Sequence, residues 1–344
     1  MSIPNTIRDV SDLEERLSRP TPGVIETIAT LEGDILILGA GGKMGPTLAR
    51  MAKRAADAVG KKRRVVAVSR FTQPGAEAAL SAHGVETMRC DMLDQTRLDA
   101  LPDAPNIVFM AGMKFGSSGN PAHTWAMNVE LPSMVCRRFP TGRYAVFSTG
   151  NVYSLAPAAG GGSVESDLPG PIGEYAMSCI GRERIFEYHS LIGEMRVSII
   201  RLSYSVEMRY GVLIDIATRV FRGEPVDLTM GNLCAIWQGD ANAMGLQSLS
   251  CADSPPSIVN VTGPEILSVR EIAHRFGEIF NKNVVLAGSE SGSALISDTT
   301  KMVGLYGRPI VPIDNVIEWT AHWVSAGCET LNKPTHFEKT DGRF

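Results

Sequence analysis

The chain lacks any apolar run that approaches the roughly 20 residues a membrane-spanning helix needs. Its 33 basic and 37 acidic residues leave a net charge of −4, which gives no reason to expect nucleic acid or a membrane surface as a partner. The polar N-terminus, with charges of both signs, has no signal-peptide core. We therefore expect a cytoplasmic globular protein whose partner is a small molecule.

Patterns typical of disulfide frameworks and metal sites are also missing. The six cysteines are scattered and form no CxxC pair, which favours reduced and mostly buried thiols. The six histidines show neither HxH nor HExxH spacing. The sequence therefore predicts no metal site.

Strands alternate with helices through the first part of the chain. Asp34–Leu38 is a short apolar run of the kind that buried parallel strands show. Helices are predicted at Ala76–Ser81, Pro121–Phe139 and Glu174–Leu191. Five more strands are predicted, at Arg64–Val68, Val85–Cys90, Asn106–Ala111, Tyr144–Ser148 and Val197–Leu202. This rhythm predicts an α/β fold, a Rossmann-type doubly wound parallel sheet with both faces covered.

The alternation loosens after residue 204. We expect a dinucleotide-binding Rossmann domain at 34–204 and a smaller C-terminal α+β substrate lobe at 205–328, whose chain can cross back to the sheet. Residues 1–33 are predicted to be a polar N-terminal extension with one helix around Ser11–Ser18. Residues 329–344 are predicted to be a polar tail.

A glycine cluster follows the first predicted strand and precedes a predicted helix. Gly39, Gly42 and Gly45 form a G-x-x-G-x-x-G pattern that encloses Lys43 and Met44. Glycine allows the tight turn, the close approach of a pyrophosphate to the backbone and the packing of helix on strand. The helix N-terminus then offers unpaired N–H groups to phosphate. The context predicts dinucleotide binding, although a turn could be glycine-rich without this role.

The end of the second predicted strand bears on the choice of dinucleotide. It reads Val68-Ser69-Arg70, with no acid to accept a hydrogen bond from the ribose 2′-OH of NAD. Arg70 could pair with the 2′-phosphate of NADP and Ser69 could bond to it, or Arg70 could be a solvated loop residue. The cofactor is NADP or NAD, with NADP favoured. Asp91, after the third strand, could accept from the adenine amino group or cap the next helix.

These motifs together resemble the extended short-chain dehydrogenase/reductase family, the NAD-dependent epimerase/dehydratase group, over about residues 34–325. The similar segments are GAGGKMG, CDMLD, FMAGMKFG, MNVELP, FSTGNVYS and EYAMSC. The resemblance implies that a further set of residues contacts the cofactor, namely Asp91, Met92, Ala111, Gly112, Lys114, Asn128, Tyr175 and Cys179. It also implies a homodimer formed through the helices that include the catalytic one.

The resemblance implies catalytic roles for Tyr175 and Thr149. Tyr175 would be the general acid/base on a substrate oxygen, and Thr149 would hydrogen-bond that oxygen. Where the family has a lysine, this chain has Cys179. A lysine charge at ~5 Å is worth about 3 kcal/mol at an effective dielectric of ~20, or roughly two units of tyrosine pKa. Without it we expect an enzyme that is slow, biased toward reduction, or most active at alkaline pH.

Arg182 is a partial substitute for the missing lysine charge. It lies seven residues after Tyr175, which returns to nearly the same helix face. A surface salt bridge with a nearby glutamate is the alternative that we favour for Arg182.

The substrate is expected to be small. Between Gly223 and Val269 there is no lysine or arginine to hold a nucleotide diphosphate, although Arg209 or Arg222 could serve. Candidate pocket residues are Met230, Asn232 and Trp237. We predict an NAD(P)-dependent oxidoreductase or epimerase that acts on a small hydroxy, keto or sugar-like compound. A non-catalytic NAD(P)-binding sensor or scaffold of the same fold is the alternative.

Overall fold

Two helices precede the sheet in the computed structural model, which describes residues 6–342. They are α1, Val10–Leu17, and α2, Pro22–Thr30, and each begins after a side chain that caps it, Asp9 and Thr21. Buried leucines of α1 pack against the C-terminal lobe, while α2 packs against the helices over the sheet. The single predicted helix corresponds to α1, and the sequence analysis missed α2.

A seven-stranded sheet forms the centre of the molecule, and all of its strand pairs are parallel. In chain order the strands are β1 Ile35–Leu38, β2 Val65–Ser69, β3 Glu86–Arg89, β4 Asn106–Phe109, β5 Arg143–Thr149, β6 Arg196–Leu202 and β7 Ser257–Val261. Their spatial order is β7-β6-β5-β4-β1-β2-β3. This order confirms the predicted Rossmann-type fold, and the late strand β7 crosses back from the lobe to pair with β6.

Six helices connect or follow the first strands. They are α3 Gly45–Val59, α4 Ala76–Ser81, α5 Gln95–Asp99, α6 Pro121–Trp125, α7 Leu131–Arg138 and α8 Gly173–Ile192. A π-helical turn, Ala126–Glu130, joins α6 to α7, so the predicted single helix Pro121–Phe139 contains a wide turn. Apolar side chains cover both faces of the sheet and form two of the buried clusters.

Five α-helices follow β6 in the described part of the chain. They are α9 Val212–Arg222, α10 Gln238–Gln247, α11 Val269–Phe280, α12 Thr300–Tyr306 and α13 Ile313–Ser325. Helices α9, α11 and α13 pack on one another around a separate apolar core that includes Trp319 and Trp323. Helix α10 instead packs on α2 and α3, beside the sheet. The lobe is thus mostly helical, with two-residue strand pairs between its helices.

The C-terminal segment that follows α13 contains no helix or strand as far as residue 342. It nevertheless buries Thr335 and Phe337. In the described part of the chain, no helix is both long and apolar enough to cross a membrane.

Candidate active site

A cavity of about 340 Å³ opens at the carboxyl ends of the central strands. Residues that follow β1, β4, β5 and β6 line it, together with parts of the C-terminal lobe. Strand order reverses between β1 and β4, the position at which open α/β sheets bind ligands. The fold therefore places the cavity where its ligand site is expected.

The three loop glycines meet different constraints. Gly39 has φ +92°, and a Cβ there would lie 2.5 Å from the backbone nitrogen of Ala111. A Cβ on Gly45 would lie 2.4 Å from the carbonyl oxygen of Ala40. Gly42 has open space, since its nearest neighbour would be 3.5 Å away. Gly39 and Gly45 are thus fixed by packing, while Gly42 leaves room for a ligand to approach the backbone.

The first turn of α3 faces the cavity without a protein cap. Met44 occupies the N-cap position and makes no side-chain capping bond. The first N–H groups of this helix are therefore open to a ligand. Lys43 lies beside them and donates from Nζ to the carbonyl oxygen of Ser205 at 3.1 Å, with Nζ 4.0 Å from the ring centroid of Tyr210. Burial lowers the pKa of Lys43 to about 7.

The residues expected at the adenosine end lie outside the cavity lining. Ser69 ends β2, and its Oγ accepts the backbone N–H of Phe71 at 3.4 Å. Arg70 is exposed. Asp91 Oδ1 accepts the N–H of Leu93 at 3.3 Å, so its side chain already stabilises its own turn. Helix α5 is capped by Asp94, not by Asp91.

Asn128 holds the loop that follows β4. It lies in the π-helical turn, where its Oδ1 accepts from Met113 N at 2.9 Å and its Nδ2 donates to Met113 O at 3.0 Å. A further bond joins Nδ2 to Ser178 on α8 at 2.9 Å. Gly112 and Lys114 of this loop line the cavity. Asn128 therefore acts on the cavity through the loop, and it does not line the cavity itself.

Tyr175 and Thr149 meet in the cavity, on elements that are remote in sequence from the glycine loop. Thr149 ends β5 and caps the short helical turn Gly150–Val152, and Tyr175 lies in the first turn of α8. Burial raises the pKa of the Tyr175 phenol above its usual range, and the neighbouring Cys179 adds to this. The Arg182 guanidinium and a hydrogen bond with Thr149 oppose the rise.

Cys179 is fully buried beside Tyr175, and burial also raises the pKa of its thiol. It packs with Val152 and Tyr153 and does not line the cavity. A neutral thiol at this point supplies no charge to the phenol. Position 179 therefore provides no positive charge beside Tyr175.

Arg182 is buried, and the expectation of a surface salt bridge for it is wrong. Its Nη1 donates to Phe147 O and its Nη2 to Asn128 Oδ1, both at 2.7 Å. Glu183, the adjacent acid, pairs instead with Arg201 at 2.8 Å. Arg182 lines the cavity, and its Nε has no partner among the described residues. The expectation was wrong because sequence spacing gave the helix face but not the acceptors that bury the guanidinium.

Two hydroxyls that the sequence analysis missed also line the cavity. Ser203 and Ser205 follow β6, and their buried Oγ atoms have no hydrogen-bond partner among the described residues. Unpaired buried polar atoms are uncommon and indicate a place for a ligand or water. Their position at the carboxyl end of a predicted parallel strand was the available signal.

Only one of the three candidate pocket residues from the lobe lines the cavity. Met230 lines the cavity, whereas Asn232 and Trp237 do not. Trp237 packs edge-on against Trp319 at 5.4 Å between ring centroids. Arg209 pairs with Glu207 and Glu14, and Arg222 is exposed.

The cavity is cationic although the chain carries net negative charge. Among its described lining residues, the charged side chains are Lys43, Lys114, Arg182 and Lys339, and there is no aspartate or glutamate. Burial lowers the pKa of Lys114 to about 8. Its Nζ lies 5.7 Å from the ring centroid of Tyr175. An anionic ligand suits such a lining.

The fold therefore brings together part of the predicted set. The predicted residues that line the cavity are Gly39, Gly42, Lys43, Met44, Gly45, Gly112, Lys114, Thr149 and Tyr175. Those outside its lining are Ser69, Arg70, Asp91, Met92, Ala111, Asn128 and Cys179. Of the second group, Ala111, Asn128 and Cys179 contact lining residues.

Several solved structures share this fold. MoeE5 in complex with UDP-glucuronic acid and NAD matches with a TM-score of 0.69 and 20% identity, over 86% of this chain and 100% of that one. UDP-glucuronic acid 4-epimerase from Bacillus cereus, with UDP-glucuronic acid and NAD, has a TM-score of 0.69 and 16% identity, over 85% and 99%. UDP-glucose 4-epimerase from Thermotoga maritima, with UDP-glucose, has a TM-score of 0.69 and 17% identity, over 86% of this chain and 99% of that one.

Identities this low establish a shared fold. The resemblance to the extended short-chain dehydrogenase/reductase family is thereby confirmed at the level of the fold. No protein-family model matches the chain, and no curated protein matches it.

Proposed function

We propose that a chain with this fold and this cavity is an NAD(P)-dependent oxidoreductase or epimerase for a small hydroxy, keto or sugar-like compound. The observation that carries the proposal is the meeting of Tyr175 and Thr149 in the cavity that begins at the glycine loop. A phenol and a hydroxyl together can bind one substrate oxygen and exchange a proton with it.

The glycine loop fits a dinucleotide. Gly42 has room at its backbone, and the first turn of α3 has unpaired N–H groups. Gly42, Met44 and Gly45 would hold the pyrophosphate, with Lys43 beside it. The nicotinamide would accept or return hydride at the substrate carbon.

Tyr175 would act as the proton donor and acceptor. Because its pKa is raised, the phenol is protonated at neutral pH and is ready to donate to a carbonyl oxygen. In the oxidative direction it must first lose its proton, which is the harder task for a buried phenol. Thr149 would bond to the same oxygen and orient it. The reaction would therefore be biased toward reduction.

Arg182 supports a working site without the lysine. It is a permanent positive charge that lines the cavity and lowers the pKa of Tyr175. Bonds to Asn128 and to the Phe147 carbonyl fix its position. Its unpaired Nε leaves one donor for a ligand. We propose that Arg182 replaces part of the electrostatic effect of the missing lysine.

The choice between NAD and NADP depends on Arg70. The exposed guanidinium at the end of β2 favours a 2′-phosphate, and no acid stands there to select NAD. Two of the structures that share the fold, MoeE5 and the Bacillus cereus epimerase, were determined with NAD. We propose binding of either dinucleotide, with a contribution from Arg70 that is specific to NADP.

The lobe favours a substrate smaller than a nucleotide sugar. The segment from Gly223 to Val269 carries no basic residue, and neither Arg209 nor Arg222 reaches the cavity lining. A diphosphate would find few partners there. Ser203 and Ser205 offer free hydroxyls to a polar compound.

Turnover separates this proposal from the alternative of a non-catalytic sensor. The protein would be incubated with NADPH or NADH and a panel of keto acids, lactones and sugars. Oxidation of the cofactor would be followed by the loss of absorbance of the reduced nicotinamide. Turnover that disappears in Tyr175→Phe supports the enzyme. Cofactor binding with no turnover across the panel supports the sensor.

We also propose a homodimer. Five large apolar side chains are exposed on α6 and α8, namely Trp125, Met177, Tyr188, Leu191 and Ile192. Covering them in a helix-to-helix contact would remove apolar surface from water. Sedimentation velocity of the protein and of Leu191→Glu would test this, with a monomeric variant as the expected result.

A further inference from the structure

The C-terminal segment, which we define as Thr335–Gly342, forms one wall of the cavity. Six of its eight residues line the space, namely Thr335, His336, Phe337, Lys339, Thr340 and Gly342. The composition of this stretch is polar, as expected for a loose tail. Its contacts instead make it part of the site.

The segment is anchored on the C-terminal lobe at its start. Thr335 donates from its backbone nitrogen and from Oγ1 to Asp215 Oδ2 on α9, at 2.8 and 2.6 Å. Phe337 is buried in the apolar core of the lobe. Just upstream, Leu331 N donates to Arg209 O at 3.0 Å. These bonds fix the path by which the chain reaches the cavity.

At its other end the segment reaches the helix that carries Tyr175. Gly342 packs so closely on Ile172 and Gly173 that a Cβ on Gly173 would lie 2.4 Å from the Gly342 carbonyl oxygen. Gly173 begins α8, two residues before Tyr175. The segment thus spans from the lobe to the helix that carries Tyr175, and it lines the cavity along this path.

Lys339 is the cation that this wall adds to the cavity. Its side chain forms no ion pair or hydrogen bond with any residue from 6 to 342, and it lines the space along with Lys114. His336 lines the same wall, with Nδ1 3.9 Å from Glu338. Glu338 lies beside His336 on the same segment but is not among the residues that line the cavity, so a substrate held between Tyr175 and this wall would meet the Lys339 ammonium directly.

We infer that the C-terminal segment is a working part of the substrate site, and that Lys339 selects a small substrate bearing a carboxylate. The inference rests on the proposed function for the position of the reacting carbon. It adds a specificity residue and a substrate class, a hydroxy acid, keto acid or sugar acid. A compact ammonium on a flexible stem suits such recognition.

Binding measured apart from turnover tests the inference. Glucuronate, gluconate and 2-oxobutanoate, and their uncharged amides, would be titrated calorimetrically into the full-length protein, with and without NADH. We expect at least one acid to bind about tenfold or more tightly than its amide, a difference that Lys339→Met removes. Lys333→Met is the matched control, since Lys333 is exposed on the same stretch and does not line the cavity.

The inference fails if no acid binds more tightly than its amide, or if Lys339→Met and Lys333→Met behave alike. Because Lys339 is exposed, its variant is expected to fold, and thermal unfolding checks this. Tyr175→Phe separates this inference from the proposed function. If the protein prefers acids but shows no hydride transfer, the proposed enzyme activity is contradicted and the carboxylate site at Lys339 is supported. If the protein turns over only uncharged compounds, the carboxylate site is contradicted and the enzyme activity is supported.

Discussion

The two ends of the cavity are built in different ways. At one end, a strand, a glycine turn and a helix that are contiguous in sequence, Ile35–Val59, form the surface where we propose that the pyrophosphate binds. At the other end, β5, α8, the segment after β6 and the C-terminal segment each contribute side chains. The first end is local and depends on backbone shape. The second end is assembled from distant parts of the chain and depends on charge and on hydroxyl groups.

Replacing Tyr175 should have the largest effect, a loss of turnover that leaves cofactor binding at the glycine loop nearly unchanged. Tyr175→Phe removes the proton donor, and we expect turnover to fall by about 100-fold or more while cofactor affinity stays within about threefold. Steady-state rates and a cofactor titration measure the two quantities. Tyr188→Phe, on the exposed side of the same helix, is the control. Equal activity in Tyr175→Phe and in the control would remove Tyr175 from the mechanism.

The pH dependence of oxidation should follow the state of the same phenol. The raised pKa of Tyr175 means that the deprotonated form is scarce at neutral pH and grows with each pH unit. The oxidation rate should therefore rise about tenfold per unit up to at least about pH 9, while reduction stays nearly flat. Initial rates in both directions measure this. An oxidation plateau beginning well below about pH 8 would contradict the account.

Arg182→Met tests whether the buried arginine replaces the lysine charge. Loss of the charge should move the oxidation profile toward higher pH by about one to two units and slow oxidation roughly 10- to 100-fold. Arg184→Met is the control, because Arg184 is exposed two residues away and pairs with Glu187.

A second variant addresses the folding of the Arg182 replacement. Arg182→Met leaves Asn128 Oδ1 and Phe147 O without this donor and should lower stability. The double variant Cys179→Lys with Arg182→Met returns a charge to the helix. Recovery of the original pH profile would support the exchange of charge, and an unchanged profile in Arg182→Met alone would contradict it.

Two substitutions in the glycine loop should have different effects, one on the stability of the fold and the other on cofactor affinity. Gly39→Ala must adopt positive φ and crowd Ala111, so we expect a loss of about 1–3 kcal/mol in the free energy of unfolding. Gly42→Ala meets open space, so its stability should stay within about 0.5 kcal/mol while cofactor affinity falls. Chemical denaturation and a cofactor titration compare the two. Similar stability losses at both positions would contradict the assignment of their roles.

The smallest effect is expected at Arg70. Arg70→Ala should weaken NADP binding by roughly 5- to 10-fold, about 1 kcal/mol, since the pairing is exposed to solvent. NAD affinity should not change. Fluorescence titration with the two reduced dinucleotides measures the ratio, and parallel losses for both would show that Arg70 does not read the 2′-phosphate.

The sequence predicts the glycine-loop end of the cavity better than the end that is assembled from distant segments. The strands and the glycine loop depend on neighbours in sequence, and apolar runs such as Ile35–Leu38 reveal them directly. Helix α2 was missed although Thr21 and Pro22 form a start signal, because the helix is short and its apolar residues are spread around it, so the sequence lacks a clear helical period. The π-helical turn was hidden inside one continuous helical pattern, since a single wide turn changes the pattern little.

The Tyr175 end of the cavity, which is built from segments far apart in the sequence, could be predicted only in part. Spacing along α8 put Tyr175 and Arg182 on one face, but the acceptors that bury Arg182 lie 54 and 35 positions away in the chain. The bond that anchors Thr335 joins residues 120 positions apart. No local pattern carries such contacts, so a polar stretch that forms a wall has the same sequence signature as a free tail.

A crystal structure with bound NADPH or NADH tests the central claim most directly. We expect the nicotinamide to lie in the cavity with its reactive carbon facing the substrate position beside the Tyr175 hydroxyl, and Arg182 at the ribose side in place of a lysine. A nicotinamide outside the cavity, or a Tyr175 hydroxyl turned away from it toward solvent or the protein interior, would contradict the account.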